Sequence, residues 1–194
     1  HDLRTPLTRM RLELEMLKDS EASENLKSDV TEMERMLEGY ISFARGEGDE
    51  KPISLNVIEL IDDVVLKMQR EGSEIEFRKK KPVFLTLKPN GFKRCLTNII
   101  NNARHYGAYV LISIQQQHEI VEVVVDDDGP GIPQEKWTEV FKPFYRIDHS
   151  RNIETGGVGL GLTIVQDIVH SHGGEVSLGT SHLGGLKVVV SIPI

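Results

Sequence analysis

Between Gly46 and Pro52 the hydrophobic period of the chain changes, and this limits its fold more than any other feature. Before the change, Leu3, Leu7, Met10, Leu14 and Leu17 recur at spacings of four and three, and so do Leu26, Val30, Met33, Leu37, Tyr40 and Ala44. Each set is the a/d seam of a helix. The polar stretch from Asp19 to Ser23 is short enough to make the two helices antiparallel neighbours. One hairpin cannot bury both seams, but two hairpins forming a four-helix bundle can, so a homodimer is expected. Gly46-Glu47-Gly48-Asp49-Glu50-Lys51-Pro52 then breaks the helix.

After the break, helical and strand periods alternate. Pro52 to Leu55 reads as a short extended piece, and Val57 to Arg70 as a helix with Leu60, Ile61, Val64, Val65 and Met68 on one side. Glu74 to Arg78 and Val83 to Leu87 read as a strand pair. Gly91 to Tyr106 is helical, Tyr109 to Gln115 and Ile120 to Asp126 alternate as strands, Leu160 to His172 is the last helix, and Glu175 to Leu178 and Leu186 to Ile192 close the chain as strands. The expected class is α+β: a helical hairpin, then a mixed sheet with helices on one face. The expected division is a hairpin over residues 1–46, a linker over 47–52 and a second domain over 53–194.

Composition narrows the partners. The 194 residues carry a net charge of −7, which gives no electrostatic reason to expect nucleic acid or an anionic membrane. The local basic run Arg78-Lys79-Lys80-Lys81 reads as a solvated strand end. The single cysteine, Cys95, excludes an internal disulfide and sits among Leu96, Ile99 and Ile100 as a core residue would. No apolar run approaches the ~18 residues of a membrane span. The abrupt start at His1-Asp2-Leu3 reads as a piece of a longer protein, with any sensor or membrane segment lying outside this chain.

Four segments after the linker carry chemistry, and a fifth opens the chain. Gly156-Gly157-Val158-Gly159-Leu160-Gly161 runs straight into the amphipathic stretch that begins at Leu162. Glycines allow close backbone approach to an anion, and a helix start offers unpaired N–H groups and a positive dipole end. In Asn98-Ile99-Ile100-Asn101-Asn102-Ala103-Arg104-His105-Tyr106, Asn98 and Asn102 share one helix face while apolar residues take the other. Three asparagines in five residues of a helix read either as a solvated face or as amide oxygens for Mg²⁺ and phosphates. The strand Val123 to Val125 ends in Asp126-Asp127-Asp128-Gly129-Pro130-Gly131-Ile132-Pro133. It reads either as a solvated turn or as a carboxylate and two glycines placed to read adenine. From Trp137 to Ile153, Phe141, Phe144 and Tyr145 alternate with Arg146 and Arg151, the composition of a lid with docked aromatics and phosphate-facing arginines. No P-loop, Rossmann fingerprint or Ser/Thr kinase set is present.

At the start stand His1-Asp2-Leu3-Arg4-Thr5-Pro6-Leu7. A neutral imidazole is a competent nucleophile near pH 7, and an adjacent carboxylate orients it and stabilises the charge it gains. Thr5 shares the helix face of His1, and its hydroxyl is placed to position a water. Pro6 cannot donate to the Asp2 carbonyl, so the helix loosens beside the histidine.

Together these segments resemble the catalytic core of bacterial sensor histidine kinases. His1 to Leu7 is similar to the H box, Asn98 to Tyr106 to the N box, Asp127 to Gly131 to the G1 box, Phe141 to Phe144 to the F box and Gly157 to Leu162 to the G2 box. The order and spacing match across essentially the whole chain. The stretches from His1 to Arg9, Leu178 to Ser181 and Gly184 to Leu186 resemble the osmosensor EnvZ subgroup. The resemblance implies a dimeric four-helix bundle followed by an α/β sandwich of the GHKL (Bergerat) ATP-binding type. It implies a protein-histidine kinase that uses ATP and Mg²⁺, phosphorylates His1 and passes the phosphoryl group to an Asp of a response regulator receiver domain.

Site roles follow from the same resemblance. His1 would accept the γ-phosphoryl group, Asp2 would activate it, and Thr5 would serve dephosphorylation of the regulator. Asn102 would ligate Mg²⁺ with Asn98 beside it, and Arg104, His105 and Tyr106 would line the nucleotide. Asp127 would bind the adenine amine, with Gly129, Gly131 and Ile132 shaping the pocket. Phe144, Arg146 and Arg151 would belong to the lid, and Gly157, Val158, Gly159, Leu160, Gly161 and Leu162 would cradle phosphates. The family also implies the cytoplasmic portion of a bacterial inner-membrane protein. Two positions depart from its pattern. His105 stands where a basic residue usually precedes the N-box Tyr, and Leu186 stands where a Thr often follows Gly184-Gly185. A net phosphatase, a nucleotide-binding dimerisation module without catalysis and a GHKL ATPase of another kind are the competing readings. The last leaves His1 to Leu7 and the two helical seams unexplained.

Overall fold

A computed structural model describes residues 4–15, 26–27, 30–31, 33, 37, 50–78, 81–147 and 159–194. Helix α1 spans Arg4–Glu15, with Leu7 and Leu14 of its seam buried but Met10 46% exposed. In the second seam Val30 is buried, whereas Leu26 and Met33 are each 49% exposed. Apolar seam positions therefore remain on the surface of the single chain.

The rest begins with β1 (Ile53–Asn56), which pairs antiparallel with β3 (Phe84–Leu87) in a two-stranded sheet. Asn56 ends β1 and caps α2 (Val57–Arg70), where its Oδ1 accepts from the Ile58 N–H at 3.2 Å. Its Nδ2 donates to Glu59 Oε1 at 2.8 Å, so a single side chain fixes the helix start on both sides. The buried face of α2 is Val57, Leu60, Ile61, Val64, Val65 and Met68. The sequence pattern paired β2 (Glu74–Arg78) with β3, and the structure does not. Strand β2 instead runs parallel to β4 (Tyr109–Gln117) at one edge of the main sheet. Two short alternating runs next to each other look like a hairpin, but each finds its partner elsewhere, β3 on β1 and β2 on β4.

The main sheet has the order β2-β4-β5-β7-β6, with β5 at Ile120–Asp127, β6 at Glu175–Thr180 and β7 at Leu186–Pro193. Only the β2–β4 pair is parallel, so the sheet is mixed. Strict alternation along the strands sends Val110, Ile112 and Ile114, then Val121, Val123 and Val125, then Val188, Val190 and Ile192 into one core. Over that face lie α2, α3 (Pro89–Tyr106) and α4 (Gly161–Ser171). Helix α3 contributes Phe92, Cys95, Leu96, Ile99, Ile100 and Ala103, all at most 4% exposed, and Cys95 is a core residue as expected. Each such buried aliphatic contributes roughly 1.5–3 kcal/mol. Among the described residues no helix is long and apolar enough to cross a membrane.

Helices α3 and α4 pack antiparallel and are tied at both ends. At one end Lys88 N–H, at the N-cap of α3, donates to His172 Nε2 at 2.9 Å. His172 closes α4, and its Nδ1 meets the Ile168 carbonyl at 2.7 Å, so its Nδ1 carries the proton. At the other end, a methyl placed on Gly161 would sit 3.2 Å from both amide atoms of Asn102.

Candidate functional site

The carboxyl end of β5 sorts the three consecutive aspartates into three environments. Asp128 Oδ1 accepts from the Ala108 and Tyr109 N–H groups at 2.8 and 2.9 Å and pins the entry to β4. The Tyr109 N–H bond is the main reason its carboxyl lies below the usual range. Asp126 points to the other face of the sheet, 3% exposed, with His182 Nδ1 3.6 Å from an Oδ1 that makes no hydrogen bond.

Asp127, 5% exposed, faces the helix side. Its Oδ1 accepts from Gly129 N–H at 2.9 Å and from Leu186 N–H at 3.0 Å. Burial pushes its carboxyl up, against the pull of those two N–H groups. Neighbouring Asp128 and Asp126 add to the rise. Among the described residues no hydrogen bond reaches Oδ2, so one oxygen is spent on the frame and the other is available to a ligand's N–H donor.

Glycine is required around this carboxylate by space. A Cβ on Gly185 would lie 2.1 Å from Asp127 Oδ1, and one on Gly129 would lie 2.8 Å from the Tyr106 carbonyl oxygen. Gly131 takes φ +70°, which places its backbone against Gly185. Beside them opens a cleft of about 250 Å³, walled by Pro130, Gly131 and Ile132 on one side and by Thr180, Gly184 and Gly185 on the other. Trp137 Nε1 donates to the Ile132 carbonyl at 2.8 Å and braces that wall. The sequence marked Gly184-Gly185-Leu186 only through the family resemblance; that the Leu186 N–H bonds Asp127 was not readable, because a backbone donor 59 residues away leaves no pattern in the chain. The Leu186 side chain is 9% exposed and belongs to the core.

The α3 face supplies the second group. Asn98 and Asn102 are half-buried and Asn101 is exposed, while Ile99, Ile100 and Ala103 are buried. The Asn98 Nδ2 donates to the Arg94 carbonyl at 2.9 Å, which turns its amide oxygen away from the helix backbone. Asn102 faces Gly161, the first residue of α4, whose early N–H groups have no partner within the helix. Arg104 is half-buried, and the His105 and Tyr106 rings meet edge to face at 4.6 Å, with Tyr106 60% exposed.

The third group is the stretch after β5. Two 3₁₀ turns, Gln134–Lys136 and Glu139–Phe141, lead to Phe144. Phe141 packs on the core and its carbonyl accepts from Thr163 Oγ1 at 2.9 Å. Phe144, expected as a second docked aromatic, is 47% exposed and has φ +64°. That left-handed backbone turns the ring outward, and the residue is held instead through its N–H, which donates to the Gly159 carbonyl at 2.9 Å. Gly159 itself has φ +76° and leaves no room for a Cβ, 2.9 Å from the Tyr145 carbonyl oxygen. Arg146 is half-buried, Leu160 is 5% exposed, and Gly161 and Leu162 are half-buried. His1, Asp2, Arg151, Gly157 and Val158 lie outside the described residues, and of Thr5 only the helical backbone is described.

The arrangement supplies a buried carboxylate acceptor at the end of β5, an amide-rich face on α3 and an open helix start at α4. Amide oxygens suit Mg²⁺, a hard cation that takes oxygen ligands and completes its octahedron with phosphate and water. The described residues hold no cluster of three or more His, Cys, Asp or Glu, so a cation at Asn102 would rely on ligand phosphates. Glycine at 161 lets the start of α4 approach the Asn102 amide closely, where a Cβ would lie 3.2 Å from its oxygen and nitrogen.

Residues 87–194 match the family described as histidine kinase-, DNA gyrase B- and HSP90-like ATPase, and residues 1–49 match the His Kinase A (phospho-acceptor) domain. The chain is 35% identical over 195 residues to the sensor histidine kinase GtrS of Pseudomonas aeruginosa, covering 100% of this chain and 40% of GtrS. It is 30% identical over 206 residues to the sensor histidine kinase CpxA of Escherichia coli K12, covering 100% of this chain and 45% of CpxA. It therefore spans less than half the length of these relatives. The solution structure of the histidine kinase domain of the E. coli osmosensor EnvZ superposes with a TM-score of 0.59 at 34% identity, covering 76% of this chain and 92% of that one.

Proposed function

Since the chain belongs to the sensor histidine kinases, joining a phospho-acceptor domain to a GHKL-type ATPase domain, we propose that it autophosphorylates His1 from ATP and passes the phosphoryl group to an Asp of a response regulator. The observation that carries the nucleotide half is Asp127: a buried carboxylate with one oxygen fixed by the Gly129 and Leu186 N–H groups and the other accepting no hydrogen bond among the described residues.

In this reading Asp127 accepts a hydrogen bond from the exocyclic amine of adenine, and Gly129, Gly131 and Ile132 shape the base pocket. Tyr106 and His105 line the nucleotide, with Arg104 beside them. Asn102, with Asn98 next to it, holds Mg²⁺, which when bound neutralises phosphate charge. The residues from Gly157 to Leu162 bind the phosphates through backbone N–H groups. Phe144, Arg146 and Arg151 belong to the segment that covers them. The imidazole nitrogen of His1 attacks the γ-phosphorus, and the bond to the bridging oxygen breaks with its electrons leaving on ADP. Asp2 orients the ring and stabilises the positive charge it gains. Thr5 positions a water for hydrolysis of the regulator's phosphoaspartate. The exposed seam residues Met10, Leu26 and Met33 support a homodimer, in which a second hairpin covers them.

The test is incubation with γ-labelled ATP. Acid-labile label on the native chain, absent from His1→Gln, supports the kinase; acid-stable label, or label that survives His1→Gln, refutes it. A purified receiver domain should then remove the label from the chain and acquire it. Thr5→Ala should spare autophosphorylation and slow loss of label from the regulator.

A further inference from the structure

Helix α3 does not cap itself. Its N-cap residue is Lys88, which makes no side-chain cap bond, Pro89 follows, and its first turn has no acidic residue. Yet α3 carries Asn98, Asn102 and Tyr106, so its axial position sets where those groups stand.

The missing cap comes from far away in sequence. Glu50 Oε1 accepts from the Asn90 N–H at 2.8 Å and Glu50 Oε2 from the Gly91 N–H at 3.0 Å. Both oxygens of one carboxylate thus hold two helix-start donors at the positive end of the dipole. Glu50 was read from the sequence as part of the connector, and it stands three residues before β1. Asn102 stands eleven residues beyond Gly91 on the same helix, about 17 Å along the axis. A helix packed on the core from Phe92 to Ala103 moves as a rod, not as separate turns.

We infer that Glu50 is a positioning residue for phosphotransfer: its two-oxygen grip on α3 fixes the direction in which the phospho-acceptor hairpin's chain meets the helix that carries Asn102. This rests on the kinase reading above. A cap alone would only stabilise α3. A positioning residue also sets how the nucleotide end of α3 is presented to His1, and that function is lost when the cap is supplied locally.

The experiment separates the two. In the full chain, Glu50→Ala is compared with Glu50→Ala/Lys88→Ser, in which a serine at the N-cap takes over the helix-start donors. Thermal stability, Mg-ATP affinity and the initial rate of His1 labelling at saturating ATP are measured on each. Glu50→Ala should lose stability and label at least about tenfold more slowly. The double variant should regain stability and Mg-ATP affinity, yet keep the slow rate. Glu50→Gln, which keeps one acceptor and loses the charge, should lie between wild type and Glu50→Ala in both stability and rate. Wild-type labelling in the double variant would show that Glu50 is only a cap. Absence of label on the wild-type chain would overturn the kinase reading and this inference together, whereas equal rates overturn this inference alone.

Discussion

Asp126, Asp127 and Asp128 are alike in sequence but differ in the groups that surround each carboxylate. In the proposed role the ionised Asp127 is the better acceptor for an adenine amine, and burial raises its pKa from the ordinary aspartate value. Mg-ATP affinity should therefore fall on acidification at a higher pH than an exposed aspartate would give. Titrating affinity against pH in wild type and Asp127→Asn checks this: the variant should bind at least about tenfold more weakly and lose that limb. Folding linkage has the opposite sign. The folded state holds the Asp127 proton more tightly than the unfolded chain, so this group's contribution to stability declines as pH rises from the unfolded to the folded pKa. Asp128 behaves in reverse. Its folded pKa is lowered by the Tyr109 N–H, so its contribution is present above the unfolded value and disappears as pH falls through the folded one. Acid denaturation of Asp128→Asn should lack that component. At Gly185 a methyl would meet Asp127 Oδ1 at 2.1 Å. Gly185→Ala should cost about 1–3 kcal/mol in chemical denaturation and abolish nucleotide binding.

At the scale of elements, the antiparallel pair α3 and α4 is what brings distant motifs together. The close approach of Gly161 to Asn102 and the Lys88–His172 bond lie at opposite ends of the pair. Gly161→Ala should leave the fold intact but displace the Asn102 side chain by a few tenths of an ångström, and His1 labelling should slow about tenfold while the circular dichroism spectrum is unchanged. His172→Phe keeps an aromatic edge against Phe92 but removes the acceptor for Lys88 N–H. It should lower stability by about 1–2 kcal/mol in urea titration. The helix faces of this pair were readable in advance, because Leu96, Ile99, Ile100 and Ala103 follow the 3.6 period. The bonds that tie the pair were not, since Lys88 and His172 lie 84 residues apart and neither has an unusual local context.

For the whole molecule, the exposed seam residues are the guide. Met10, Leu26 and Met33 lie on positions that a dimeric bundle would cover. Sedimentation should give twice the chain mass of 21.8 kDa, and Met33→Asp should shift the population toward monomer. Much of this organisation is fixed by sequence alone, because side-chain period depends only on local backbone geometry. The change of period near Gly46, the helix from Val57 to Arg70, the inward faces of β4, β5 and β7, and the core position of Cys95 all follow from it. Tertiary structure alone decided that β2 joins β4 rather than β3, that Phe144 is held by its backbone rather than its ring, that Gly185 and Leu186 frame Asp127, and that Glu50 caps α3. Each of these depends on a hydrogen bond or a close approach between segments distant in sequence. Backbone donors carry no residue identity, so such contacts exist only once the chain has packed.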